Sequence, residues 1–171
     1  MKKTLLFAIC IFLFFASCKK KSSDTAPSNS ITATIDGVSE SFNTNITVHF
    51  GAGIQGIQSG SGLIIEGTNG NADGADDLSI TINSSSTVVK GNYTNSGNSG
   101  GFPSIFYRKG AFSVSDPVFY ITDVNAVNPS AVTITSISNT NIQGTFSGKL
   151  IFTDGKTIKT VTDGKFNVNI K

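Results

Sequence analysis

The chain has no Trp, one His, one Met and four Pro, and only 14% of its 171 residues are charged. A lone histidine, His49, leaves little room for imidazole-based metal sites. A Ser-His-Asp arrangement would have to use it, and no nucleophile elbow lies nearby. Straight-chain helix formers are also scarce. From Lys19 onward there are three Leu (Leu63, Leu78, Leu150) and two Glu (Glu40, Glu66), against 17 Ile, 11 Val and 18 Thr. β-Branched side chains lose rotamer freedom in a helix and pack well on a pleated surface, so a helical protein is excluded.

Charge of either sign is nearly balanced, with 13 Lys and Arg against 11 Asp and Glu. Lys2 and Lys3 belong to an N-terminal export signal, and without them the counts are 11 and 11. Beyond Ser30 there are eight basic and ten acidic residues, a formal charge of −2. No electrostatic basis for nucleic-acid binding survives.

Long apolar runs are missing except for Leu5 to Ala16, whose twelve residues fall short of the roughly 20 needed to cross a bilayer. The run ends in Phe15-Ala16-Ser17-Cys18, which resembles a bacterial lipobox, with Phe15 where Leu is commonest. The resemblance implies cleavage before Cys18 and acylation of that cysteine by palmitate-like chains. At about 0.8 kcal/mol per buried methylene, several chains hold a small domain on a membrane. Cys10 lies inside the signal, so no disulfide can form within one processed chain. Residues 22–29 are small and polar and read as a tether. Within them Asp24-Thr25-Ala26 resembles an O-glycosylation acceptor of Bacteroidetes-type bacteria, with Thr25 as the site. The expected organisation is a signal peptide at 1–17, a lipidated cysteine and tether at 18–29, and a single β-domain at 30–171.

The remaining residues alternate. Ile31, Ala33 and Ile35 share one face of a pleat opposite Thr32 and Thr34, and Asp36-Gly37 turns the chain. Ile46, Val48 and Phe50 repeat the pattern with His49 on the solvent side. Further strands are expected at Leu63 to Thr68, Leu78 to Asn83, Val88 to Tyr93 and Ile105 to Arg108, with a pair around Ala111 to Thr122. Ile142, Gly144, Phe146, Gly148, Leu150 and Phe152 hold one parity over eleven residues, which only an extended strand does. Asp154-Gly155 and Asp163-Gly164 read as two hairpin signals and predict a C-terminal meander. The expected fold is all-β and antiparallel, with about nine to eleven strands. Two closures satisfy the pattern: a two-sheet sandwich or one sheet rolled into a flattened barrel.

Ile142-Gln143-Gly144-Thr145-Phe146-Ser147-Gly148, with Asp154-Gly155-Lys156 and Thr162-Asp163-Gly164-Lys165-Phe166, resembles a family of small β-rich lipoproteins of Bacteroidetes. Ile31 to Gly37 is similar to their opening strand. The resemblance implies a single lipid-anchored domain of the outer membrane. It brings no known activity and no catalytic residue. Three lysines, Lys19 to Lys21, follow Cys18 where acidic residues would favour outward display, so both membrane faces stay open.

Oxygen-bearing side chains at Asn69, Asn71, Asp73 and Asp77 resemble the first half of a calcium loop, the only cofactor suggested. Position twelve of that loop is Ile80 rather than a bidentate Glu, and a solvated acidic turn explains the same composition. Glu40 and Glu66 are the one carboxylate pair available to a glycosidase, though both read as exposed strand positions. Phe102, Phe106, Tyr107, Arg108, Phe119 and Tyr120 concentrate large side chains in one region. Tyr107 and Tyr120 become candidate ligand contacts if they lie on an outer face; otherwise they complete the core. The reading is a non-catalytic envelope domain with a binding or structural role, meeting a glycan or an envelope protein. A carrier with a barrel cavity for a small apolar ligand and a polysaccharide-recognising accessory module are the alternatives.

Overall fold

The computed structural model of the chain describes residues 28–51, 62–71, 74–95, 101–110 and 118–170. Their strands form one antiparallel sheet, nearly closed into a barrel, with no helix among the described residues. Of the two closures compatible with the alternation, the structure adopts the barrel.

The chain opens with the hairpin of β1 (Ser30–Ile35) and β2 (Val38–Phe42). Asp36 and Gly37 both have positive φ, 50° and 81°, the backbone that a two-residue turn needs to follow strand twist. β2 then runs through Asn43 alone into β3 (Thr44–Phe50), which pairs with β4 (Leu63–Thr68) rather than with β1. One bent stretch of chain therefore supplies both edges of the sheet. Where those edges meet, the Phe42 carbonyl lies 2.9 Å from where a Cβ of Gly67 would be, so only glycine admits the approach.

From β4 the sheet continues through β5 (Asp77–Ser84) to β7 (Gly101–Arg108). The expected strand at Val88 to Tyr93 is shorter, β6 (Gly91–Thr94). Its tyrosine explains the difference, because the Tyr93 hydroxyl bonds both the N–H and the carbonyl of Val89, at 2.9 and 2.7 Å, and takes them out of any ladder. Of the pair expected around Ala111 to Thr122, β8 (Phe119–Thr122) is present, and 111–117 lie outside the described residues. β8 and β9 (Ser130–Ile137) share one edge of β10 (Asn141–Phe152), so the wall forks between β7 and β10. Side chains bridge the fork. Thr122 Oγ1 accepts from the Ile105 N–H at 2.7 Å, and Ser130 Oγ donates to the Pro103 carbonyl at 2.6 Å.

β9, β10 and β11 (Ile158–Asn169) form the meander, with Asp154-Gly155 in its second turn. Asp163-Gly164 does not turn. Both lie inside β11 as a bulge, with Asp163 at φ 52°, and the register slips by one residue against β10 and β1 together. The ring of Phe146 occupies the space above Gly164, and the ring of Phe166 that above Gly144, so two Gly–Phe cross-strand pairs interlock. The two rings stack at 6.4 Å between centroids. The inward positions include Ile31, Leu63, Ile65, Leu78, Ile80, Ile82, Ile105, Ile134, Ile142 and Leu150, each at most 1% exposed. Burying one such side chain contributes about 1.5–3 kcal/mol, and with no disulfide among the described residues this burial is the main source of stability.

Candidate functional site

The acidic loop between β4 and β5 is closed by its own groups. The Asn69 side-chain oxygen accepts from the Asp76 N–H at 2.8 Å, and the Asn69 N–H donates to the Asp76 carbonyl at 3.0 Å. Asp76 accepts from the Tyr107 hydroxyl at 2.7 Å and from the Gly110 N–H at 2.8 Å. Asp77 pairs with Arg108 at 2.9 Å. Burial raises the Asp77 carboxyl above the usual carboxylate range, against the pull of Arg108, and the Glu66 charge adds to the rise. Asn71 is exposed, and Asp73 lies outside the described residues. Among the described residues no group of three or more His, Cys, Asp or Glu could hold a metal ion.

Tyr107 and Tyr120 face the interior, so of the two readings open to them they complete the core and are not outer-face contacts. They are 2% and 8% exposed and stack on each other with centroids 6.2 Å apart. Phe42 meets Tyr107 edge-on, Phe152 lies against Tyr120, and Lys159 Nζ sits 5.0 Å from the Tyr120 ring centre. Parity is the reason. Ser104 and Arg108 need the outside of β7, which sends Ile105 and Tyr107 inward and turns Phe102 and Phe106 outward. In β8 every residue from Phe119 to Ile121 is large and apolar, so alternation carried no signal there. Cys18 and Thr25 lie outside the described residues. His49 is exposed on β3, and Glu66 stands opposite Thr47 on β4. Glu40 is on β2, opposite Ala33.

Two regions stand out among the outward side chains of the described residues. On the first, Asn92, Thr133, Thr145, Lys165, Thr32 and Ser41 stand opposite one another across six strands. An open depression of about 540 Å³ lies over its middle, lined by hydroxyls with Asp163 and Lys165. On the second, Phe106, Ile121, Ile151 and Ile158 stand opposite one another on β7, β8, β10 and β11. Phe119 stacks on Phe106 at 5.5 Å. Ile121 is 46% and Ile158 52% exposed. Scattered exposed apolar residues are ordinary, whereas here they form a continuous row across four neighbouring strands.

The carboxylates serve as loop staples. Asp36 accepts from Lys159 Nζ and the Thr160 N–H, both at 2.8 Å. Burial pulls its carboxyl upward, but the Lys159 and Thr160 bonds outweigh that and leave it below the usual range. Asp154 accepts from the N–H groups of Thr157 and Lys156 and from the Thr157 hydroxyl, which also hold it low. Asp123 accepts from the Asn125 N–H at 3.0 Å. Compared with protein-family models, curated proteins and solved structures, the chain matches none of them.

Proposed function

We propose that the protein is a lipid-anchored, non-catalytic domain of the cell envelope, attached through Cys18, whose folded body binds or organises an envelope component. The observation that carries this reading is the use of the acids. Asp36, Asp76, Asp77, Asp123 and Asp154 are each engaged by backbone N–H groups, hydroxyls or a cation that fix turns and strand ends. Carboxylates spent in this way have a structural task. The interior supports a binding surface over a carrier cavity, since Phe42, Tyr107, Tyr120 and Phe152 are in ring-to-ring contact there. The lipobox-like ending at Cys18 supports anchoring on the outer membrane.

Fatty-acid labelling of cells expressing wild type and Cys18→Ala, with membrane fractionation and protease shaving, tests attachment and face together. Label in the wild type and none in Cys18→Ala is expected. An unlabelled wild type in the soluble fraction overturns the anchoring. Turnover of glycosides, esters or peptides that is abolished by changing Glu40, Glu66 or His49 overturns the non-catalytic reading.

A further inference from the structure

We propose that the outward apolar row of Phe106, Phe119, Ile121, Ile151 and Ile158 lies against the bilayer surface to which Cys18 is anchored, so the domain sits on its side with the hydroxyl-lined face turned away. The inference rests on the anchoring proposed above and adds an orientation to it.

Three observations carry it. Alternation along β7, β8, β10 and β11 puts Phe106, Ile121, Ile151 and Ile158 on the outside, each opposite the next, with Phe119 beside them on β8. Such side chains gain free energy on leaving water, and among the described residues nothing covers Ile121 or Ile158 beyond about half. The rim carries lysines. Lys109 follows Arg108, which stands opposite Phe119; Lys149 precedes Ile151 on the same face of β10; and Lys156 precedes Ile158. All three lysines are exposed. Of the acids near this rim, Asp77 is paired with Arg108, while Asp154, held in its ionised form by its own turn, and Asp123, whose N–H bonds the Lys149 carbonyl, lie beside the lysines. The exposed lysines can meet anionic headgroups. Reach is the third observation. Ser30 pairs with Asn167, nine residues along β11 from Ile158, or about 30 Å at strand rise. The ten residues from Cys18 to Pro27 could span up to about 35 Å if fully extended. Acyl chains and row can therefore occupy one membrane plane.

The absence of Trp makes the test direct, since one introduced indole is then the only one in the chain. The full acylated protein, carrying Ile121→Trp, Ile158→Trp or Thr145→Trp, is reconstituted on phosphatidylethanolamine–phosphatidylglycerol vesicles containing lipids brominated near the headgroup end of the acyl chains. All three positions are outward, and circular dichroism checks the sheet in each variant. The Ile121→Trp and Ile158→Trp proteins should lose about half of their emission, as expected for burial at interfacial depth, and the Thr145→Trp protein should keep it. Adding Ile151→Asp to Ile121→Trp should restore the emission while the protein still floats with the vesicles. Acylated protein that floats with Ile121→Trp no more quenched than Thr145→Trp overturns the orientation and leaves anchoring standing. A dimer that shields the indole of Ile121→Trp from bromine also overturns it. Protein that carries no acyl group and stays in the aqueous fraction overturns both proposals.

Discussion

Gly144→Ala tests the packing of the meander most severely. An alanine Cβ there would meet the Thr133 carbonyl and the edge of the Phe166 ring. The ring could tilt, but the carbonyl belongs to the β9 backbone opposite Thr145, and moving it disturbs a ladder in the middle of the sheet. Overpacking a full core costs typically 1–3 kcal/mol, and with an immovable neighbour the upper end, about 3 kcal/mol, applies. For a domain of this size that is a fall of about 10 °C in melting temperature. Gly155→Ala is the control. It has φ 70° with nothing within 4 Å of the added Cβ, so only left-handed backbone strain of about 1 kcal/mol is introduced. Phe166→Leu in the Gly144→Ala background should recover part of the loss, because the carbonyl remains. Thermal and urea melts followed by circular dichroism read all four proteins. If Gly144→Ala melts no lower than Gly155→Ala, the interlocked Gly–Phe pairs are not what the structure implies.

Three further outcomes follow from the same geometry. Burial, and then the bond to Asp76, raise the Tyr107 hydroxyl far above its ordinary pKa of 10.0. The folded state therefore keeps a proton that the unfolded chain releases, and stability is complete below pH 10 and falls as pH rises beyond it. Melts across that range should show a slope that Tyr107→Phe reduces, and absorbance near the phenolate band should show Tyr107 titrating only as the protein unfolds. Thr122→Val removes the hydroxyl that serves the Ile105 N–H inside the fork and should cost about 1–3 kcal/mol by urea denaturation, as for any buried donor left unpaired. Asp36 should titrate below 3.8 by carbon-detected NMR and move upward in Lys159→Ala; its contribution is present above the unfolded pKa and lost as pH falls through the folded one.

Strand parity was legible wherever one face was polar. Ile31 to Ile35, Leu63 to Thr68 and the eleven-residue alternation of β10 all lie as their patterns require. Legibility failed where chemistry was shared between conformations. Asp-Gly suits a two-residue turn and a bulge equally, because both need a residue at positive φ; Asp36-Gly37 became the first and Asp163-Gly164 the second. The paired phenylalanines on β10 and β11 would have decided it, since turning at Asp163 would have separated Gly164 from Phe146. The outward row was hidden for another reason. Phe106 could be placed by the polar parity of Ser104 and Arg108, but Ile121, Ile151 and Ile158 join it only through register, which a single strand does not encode.

The glycines and phenylalanines of β10 and β11 are engaged in packing. Gly144 and Phe146 of one segment face Phe166 and Gly164 of the other, and Asp154-Gly155 makes the turn between them. A motif of this kind constrains a backbone path, because glycine is required where a ring covers it and the ring where glycine leaves room. It places no constraint on Thr145, Ser147 or Lys165, which alternate with it on the outside, nor on Ile151 and Ile158 of the apolar row, farther along the same two strands. Proteins sharing such a motif would then share the barrel and differ in what the barrel displays. Specificity should therefore be sought at the outward positions. Exchanging Thr133, Thr145 and Lys165 should change binding at the hydroxyl face without moving the melting temperature, whereas any change at Gly144 or Phe166 should move the melting temperature first.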